Sequence, residues 1–178
     1  MVKVGMWFSR SADMRCFIRL LLFVSVMSGV QLGAESAQET PFSLTIGTPQ
    51  QVVKAGSEVR VDVVLKNTSD HEITLLRSPG TGRGELEFES DVLSEKGNPA
   101  SQTKYGHGLK KSGLDAVEGS RIMFRLQPGE TYEDSMSLNK LYDLSKPGKY
   151  RIELHKRVPD HLGQGVVKSN ALVITVTS

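Results

Sequence analysis

The sequence predicts an all-β fold of two packed antiparallel sheets, and three observations carry that prediction. Apolar and polar residues alternate with a period of two through most of the chain after residue 40. Turn-forming clusters separate those stretches at short, regular intervals: Ala55-Gly56, Asn67-Thr68-Ser69-Asp70, Lys96-Gly97-Asn98-Pro99, Gln127-Pro128-Gly129 and Lys146-Pro147-Gly148. No stretch shows a convincing 3.6-residue period with caps, so there are no helical crossovers from which a parallel sheet could be built.

Taken in order, 42–46 and 51–54 are the first strands, and Pro49 between them, lacking a backbone donor, makes them one broken edge strand. Over 58–67, Val59, Val61, Val63 and Leu65 point one way and Arg60, Asp62 and Lys66 the other, the mark of a half-buried strand. Strands at 72–78 and 85–93 follow, with 99–104 as one more short strand. Over 120–126, Ile122, Phe124 and Leu126 alternate with Arg121, Met123 and Arg125. After a strand at 131–138, residues 138–145 could hold one helical turn. Over 149–157, Tyr150, Ile152 and Leu154 oppose Arg151, Glu153 and His155, and over 168–177 Leu172, Ile174 and Val176 share a face. Seven to nine such strands make a two-sheet sandwich.

One residue narrows the type. Tyr150 stands just after Pro147-Gly148, at the start of a strand and two residues before the inward Ile152, which is the placement of a tyrosine corner in a Greek-key, immunoglobulin-like sandwich. The single cysteine is Cys16 and the single tryptophan Trp7. An internal disulfide, a cysteine-based zinc site and an antibody-type core are thereby excluded.

The chain begins with a leader. Leu20 to Val30 carries no charge, follows Arg15 and Arg19, and precedes the small pair Gly33-Ala34, the pattern of a secretory signal peptide. About 20 apolar residues are needed to cross a bilayer, so this run predicts no membrane span. The expected organisation is a signal peptide at 1–34, with Met14 as an alternative start, a short flexible segment at 35–41 and the sandwich at 42–178. The expected location is secreted or periplasmic. The 178 residues hold 22 Lys and Arg against 20 Asp and Glu. Removing the leader takes Lys3, Arg10, Arg15, Arg19 and Asp13, leaving 18 basic and 19 acidic residues, a balance that offers no field for nucleic acid.

The run Leu126 to Glu153, LQPGETYEDSMSLNKLYDLSKPGKYRIE, together with the Val-rich stretch and Asn-Thr-Ser-ITLL pattern of Gly56 to Leu76, resembles the β-sandwich domain that accompanies deuterolysin-type and peptidyl-Lys zinc metalloendopeptidases. The catalytic helix of that family, with its His-Glu-x-x-His motif, is not in this sequence. The resemblance therefore implies a fold and an accessory role, with a peptidase as one candidate partner, and no proteolysis.

The enzyme motifs searched for fail individually. His71-Glu72 opens like a zinc-peptidase motif, but Leu75 stands where the second histidine must be, and the segment reads as a strand. There is no nucleophile elbow, no phosphate-cradling loop and no calcium loop. His71, His107, His155 and His161 are placed in turns, on the exposed face of a strand and in a long loop, so no metal or other cofactor is expected. His155-Lys156-Arg157 reads as a solvated strand face, and Asn67-Thr68-Ser69, formally a glycosylation acceptor, as turn chemistry.

The functional expectation rests on Tyr105 to Gly119, fifteen residues without clear structure, since connections that long tend to carry function. With Pro79 to Gly84 and Asn139 to Gly148 it is expected at one end of the sandwich, where Tyr105, His107, Lys110, Lys111 and Arg83 would bind a protein partner. The expected protein is thus a non-enzymatic, monomeric interaction module. The alternatives are a hydrolase or metal-dependent enzyme with an unrecognised site around His107 or His155, and a structural subunit pairing through an edge strand at 42–54 or 168–177.

Overall fold

A computed structural model of the chain describes residues 40–80, 82–112 and 121–178. The expected leader, with Cys16 and Trp7, and residues 113–119 of the expected binding loop lie outside the described residues.

The fold is an immunoglobulin-like two-sheet sandwich. The described residues form ten strands: β1 (Phe42–Gly47), β2 (Val52–Lys54), β3 (Arg60–Asn67), β4 (Ile73–Arg77), β5 (Glu89–Ser94), β6 (Ile122–Leu126), β7 (Thr131–Ser137), β8 (Gly148–Arg157), β9 (Val166–Lys168) and β10 (Leu172–Thr177). One sheet has the order β1-β3-β7. The other runs β2-β10-β8-β5, with β9 also on β8, and β4 pairs separately with β6. Val61, Val63 and Leu65 of β3, Leu44 of β1, Ile152 and Leu154 of β8 and Ile174 of β10 are all buried in one apolar cluster. Each fully buried aliphatic side chain contributes about 1.5–3 kcal/mol, and the alternation places them inward on every second residue.

The chain changes sheets at Pro49: β1 pairs antiparallel with β3, while β2 pairs with β10. That second pairing is parallel, Val52 to Thr175 and Lys54 to Thr177, which corrects the expectation of a wholly antiparallel fold. A three-residue parallel pair needs no helical crossover, because its strands come from opposite ends of the sandwich domain.

The expected tyrosine corner is present, with the Tyr150 hydroxyl donating to the Lys146 carbonyl at 2.8 Å and Ile152 fully buried two residues on. A second fixed point is Asn67. It is fully buried where β3 gives way to β4 and β6 to β7. Its Nδ2 donates to the carbonyls of His71 at 2.8 Å and Leu126 at 2.9 Å, and its Oδ1 accepts from the amide and hydroxyl of Ser69. The turn reading of Asn67-Thr68-Ser69 thus has its physical basis: this amide closes a kink between two ladders.

Three element boundaries differ from the sequence expectation. The stretch 85–93 is not one strand but a 3-10 turn at Gly84–Leu86 followed by β5. The stretch 168–177 is broken between β9 and β10, where the Asn170 side chain accepts from the Ile46 amide at 2.8 Å and donates to its carbonyl at 3.1 Å, binding the kink to β1. Residues 99–104 make only isolated bridges before entering a helix, α1 (Lys104–Ser112). The helical turn expected within 138–145 is the 3-10 turn Leu138–Lys140. Among the described residues no helix is long and apolar enough to cross a membrane.

Candidate functional site

Helix α1 is the part of the expected binding loop that the structure describes, and it replaces the unstructured segment read from sequence. Its sequence, KYGHGLKKS, has two glycines and little intrinsic helicity. Tertiary contacts hold it. Thr103 caps the first turn, accepting through Oγ1 from the Gly106 amide at 3.0 Å and donating to the Lys140 carbonyl at 2.5 Å. The Thr103 amide donates to Leu141 O, and the Asp143 amide to Ser101 O. Lys110 and Lys111 lie in the last turn, where cations complement the helix dipole.

These bonds bring the 99–112 and 138–143 segments together, as expected, but along the free edge of β5. The Ala100 amide donates to Val92 O, and the Tyr142 hydroxyl donates to Ser90 O at 2.5 Å, so the β5 edge is covered rather than open for strand addition. Of the two edges expected from sequence, β1 and β2 within 42–54 each end a sheet, whereas β10 within 168–177 lies between β2 and β8 and is not an edge.

Four of the five candidate residues share α1. Tyr105 is about half exposed, and His107, Lys110 and Lys111 line an open cleft of about 870 Å³ against Asp91 and Gln102. Arg83 does not join them: it is exposed next to Gly82, whose amide donates to Asp134 of β7 at 2.8 Å, and it lines neither cavity bordered by α1. The helix carries no acidic residue, so its outer face is cationic.

Beneath α1 lies a second cavity of about 320 Å³, walled by Phe88, Leu109, Leu141 and Tyr142 and by the polar Glu85 and His155. No signal in the sequence marks its carboxylates. Glu85 and Glu87 are both buried, because each meets cations distant in sequence. Glu85 Oε1 accepts from Lys140 Nζ at 2.7 Å. Glu87 accepts from the Ser78 amide, faces Arg121 at 3.3 Å and Lys156 Nζ at 3.7 Å, and Lys156 also lies 5.0 Å over the Phe88 ring. Burial holds the Lys156 ammonium below the usual lysine range, with Glu87 pulling the other way.

The 155–157 stretch is therefore not the solvated basic face expected. The His155 side chain is only 17% exposed, with Nε2 3.7 Å from Asp91 Oδ2. His71 pairs with Asp70 in an exposed turn, and His161 Nε2 lies 3.0 Å from the Thr74 carbonyl. Among the described residues no group of three or more His, Cys, Asp or Glu could hold a metal ion.

No protein-family model and no curated protein sequence matches the chain. The resemblance to the peptidase-associated domain accordingly reduces to the immunoglobulin-like fold. Among solved structures, the chain is similar to the β-glucosidase from Listeria innocua in complex with glucose (14% identity over 77% of this chain and 16% of that one, TM-score 0.41). It is also similar to the β-glucosidase from Erythrobacter marinus (13%, 78% and 16%, TM-score 0.40). A third likeness is to the CARDB domain of the PF1109 protein from Pyrococcus furiosus in complex with di-metal ions (11%, 76% and 87%, TM-score 0.37). The chain spans about 16% of the length of the two glucosidases.

Proposed function

We propose that the protein is a secreted or periplasmic, non-enzymatic immunoglobulin-like module that binds a protein partner through the outer face of α1. The observation that carries this reading is the display of Tyr105, His107, Lys110 and Lys111 on one short helix locked to the sandwich by Thr103. A rigid scaffold presenting an exposed aromatic among cations is suited to recognition. The cationic face fits an acidic partner surface, and a peptidase remains the partner class suggested by the sequence resemblance. The hydrolase alternative has His155 and Glu85 at one cavity in its favour. Against it, the Ser90 hydroxyl there donates to the Tyr142 hydroxyl at 3.2 Å rather than to the imidazole. Arg83 belongs to a different face and is dropped from the binding set.

The test is recovery of partners from the extracellular or periplasmic fraction with the tagged protein, compared with a Tyr105→Ala/His107→Ala/Lys110→Ala/Lys111→Ala variant. The variant is expected to lose the recovered protein and keep its melting temperature, whereas Arg83→Ala retains binding. Full recovery by the fourfold variant would refute the reading.

A further inference from the structure

Among the described residues, two buried side-chain atoms lack a hydrogen-bond partner, Glu85 Oε2 and His155 Nε2. Both residues line the cavity beneath α1. A buried polar atom without a partner costs about 1–3 kcal/mol, and more when charged, so such atoms are rare; two on one cavity mark a place where an outside group recovers the loss. The Glu85 side chain is 4% exposed, so its second oxygen is shut off from bulk solvent.

Charge selects the class of that group. An anion would confront the free oxygen of Glu85 and the carboxylates of Glu89 and Asp91, which also line the cavity. A cation would meet Lys110 in the lining, and the negative charge of Glu85 is already engaged by Lys140 at 2.7 Å. A neutral hydroxyl avoids both penalties and can donate and accept at once. One hydroxyl donating to Glu85 Oε2 satisfies that oxygen. The 3.7 Å between His155 Nε2 and Asp91 Oδ2 is too long for a hydrogen bond, yet a second hydroxyl between them can reach both, with Nε2 on one side and the carboxylate accepting its proton on the other. Phe88, Leu109 and Leu141 supply apolar walls for the carbon frame. The volume of about 320 Å³ sits at the small end of ligand cavities, roughly 300–1,000 Å³.

We propose that the cavity beneath α1 binds a small, neutral, polyhydroxylated compound the size of a monosaccharide or cyclitol, held by Glu85 and His155. This site shares Lys110 with the binding face proposed for α1 but none of Tyr105, His107 and Lys111, and it does not need the protein partner.

The experiment is a 1H–15N NMR titration of the full chain with D-glucose and myo-inositol, and with ethylammonium and acetate as charged controls, up to roughly 50 mM of each. Saturable shifts at Phe88, Leu109 and the His155 ring with at least one polyol are expected, and neither charged probe should reproduce them. Glu85→Gln keeps the shape but removes the carboxylate. Leu109→Trp fills the cavity from a half-buried helix position, so the sandwich resonances should stay in place. Either substitution should weaken polyol binding by roughly tenfold or more. The proposal is overturned if neither polyol gives saturable shifts, if ethylammonium or acetate binds there instead, or if Leu109→Trp leaves the polyol shifts unchanged.

Discussion

Gly106 of α1 packs so closely on Leu141 that a Cβ built on the glycine would stand 2.2 Å from the Leu141 carbonyl oxygen and 2.8 Å from its Cα. Gly108, two residues on, has nothing within 4 Å of the same position. The two glycines of one helix therefore have opposite meanings.

Gly106→Ala must push α1 away from the 138–143 segment, and a destabilisation of about 1–3 kcal/mol is expected, with amide exchange in α1 accelerated before that of β8. Gly108→Ala should stabilise by about 0.5–1 kcal/mol through helix propensity alone. Urea unfolding of the pair checks both signs, and equal effects would contradict the packing.

Asn67→Ala leaves the His71 and Leu126 carbonyls and the Ser69 amide without their partner at a fully buried position. A loss of about 2–4 kcal/mol follows, because buried acceptors are stranded as well as a bond lost. The same burial forbids a glycan on the folded chain. Mass spectrometry of soluble protein secreted from a glycosylating host should find Asn67 unmodified.

Removing only the hydroxyl of the corner, Tyr150→Phe, keeps the buried ring and deletes the bond to Lys146. A cost of about 0.5–1.5 kcal/mol is expected in denaturant unfolding, with an unchanged slope. A much larger loss would mean that the ring had moved.

Burial first, and then the charge of Asp134 beside it, push the Tyr132 phenol up to about 12 from the ordinary 10.0. Its folded value exceeds its unfolded one, so the neutral phenol's contribution is complete below pH 10 and is lost as pH rises toward 12. Stability measured across that window should fall less steeply in Tyr132→Phe, and the phenolate absorbance step near pH 12 should be missing from that variant.

Much of the sandwich was legible because its strands obey the period-two rule over enough residues to be read. Val59 to Leu65 and Tyr150 to Leu154 turn inward as the alternation requires, and Tyr150 disclosed the corner through its distance from Pro147-Gly148. Helix α1 was not legible, since only Gly106 and Leu109 face inward and two contacts make no periodic signal. The stretch Glu85 to Phe88 misled for a different reason. Alternating charged and apolar residues normally mean one wet face, but here Lys140, Lys156 and Arg121 reach both buried carboxylates and neutralise them. The β9–β10 break is likewise invisible locally, being made by Asn170 reaching a residue 124 positions earlier. For the site, sequence supplied the four residues of α1, while the cavity depends on that tertiary pairing of charges.

The parallel alignment of β2 with β10 gives the domain a mechanical character. Tension applied through the two ends of the chain drags these strands in opposite directions along their common axis, so their ladder is loaded in shear, every bond at once, instead of being unzipped bond by bond. In single-molecule stretching, the unfolding force is expected to drop on replacing Val53 with proline, which strips one donor from that ladder.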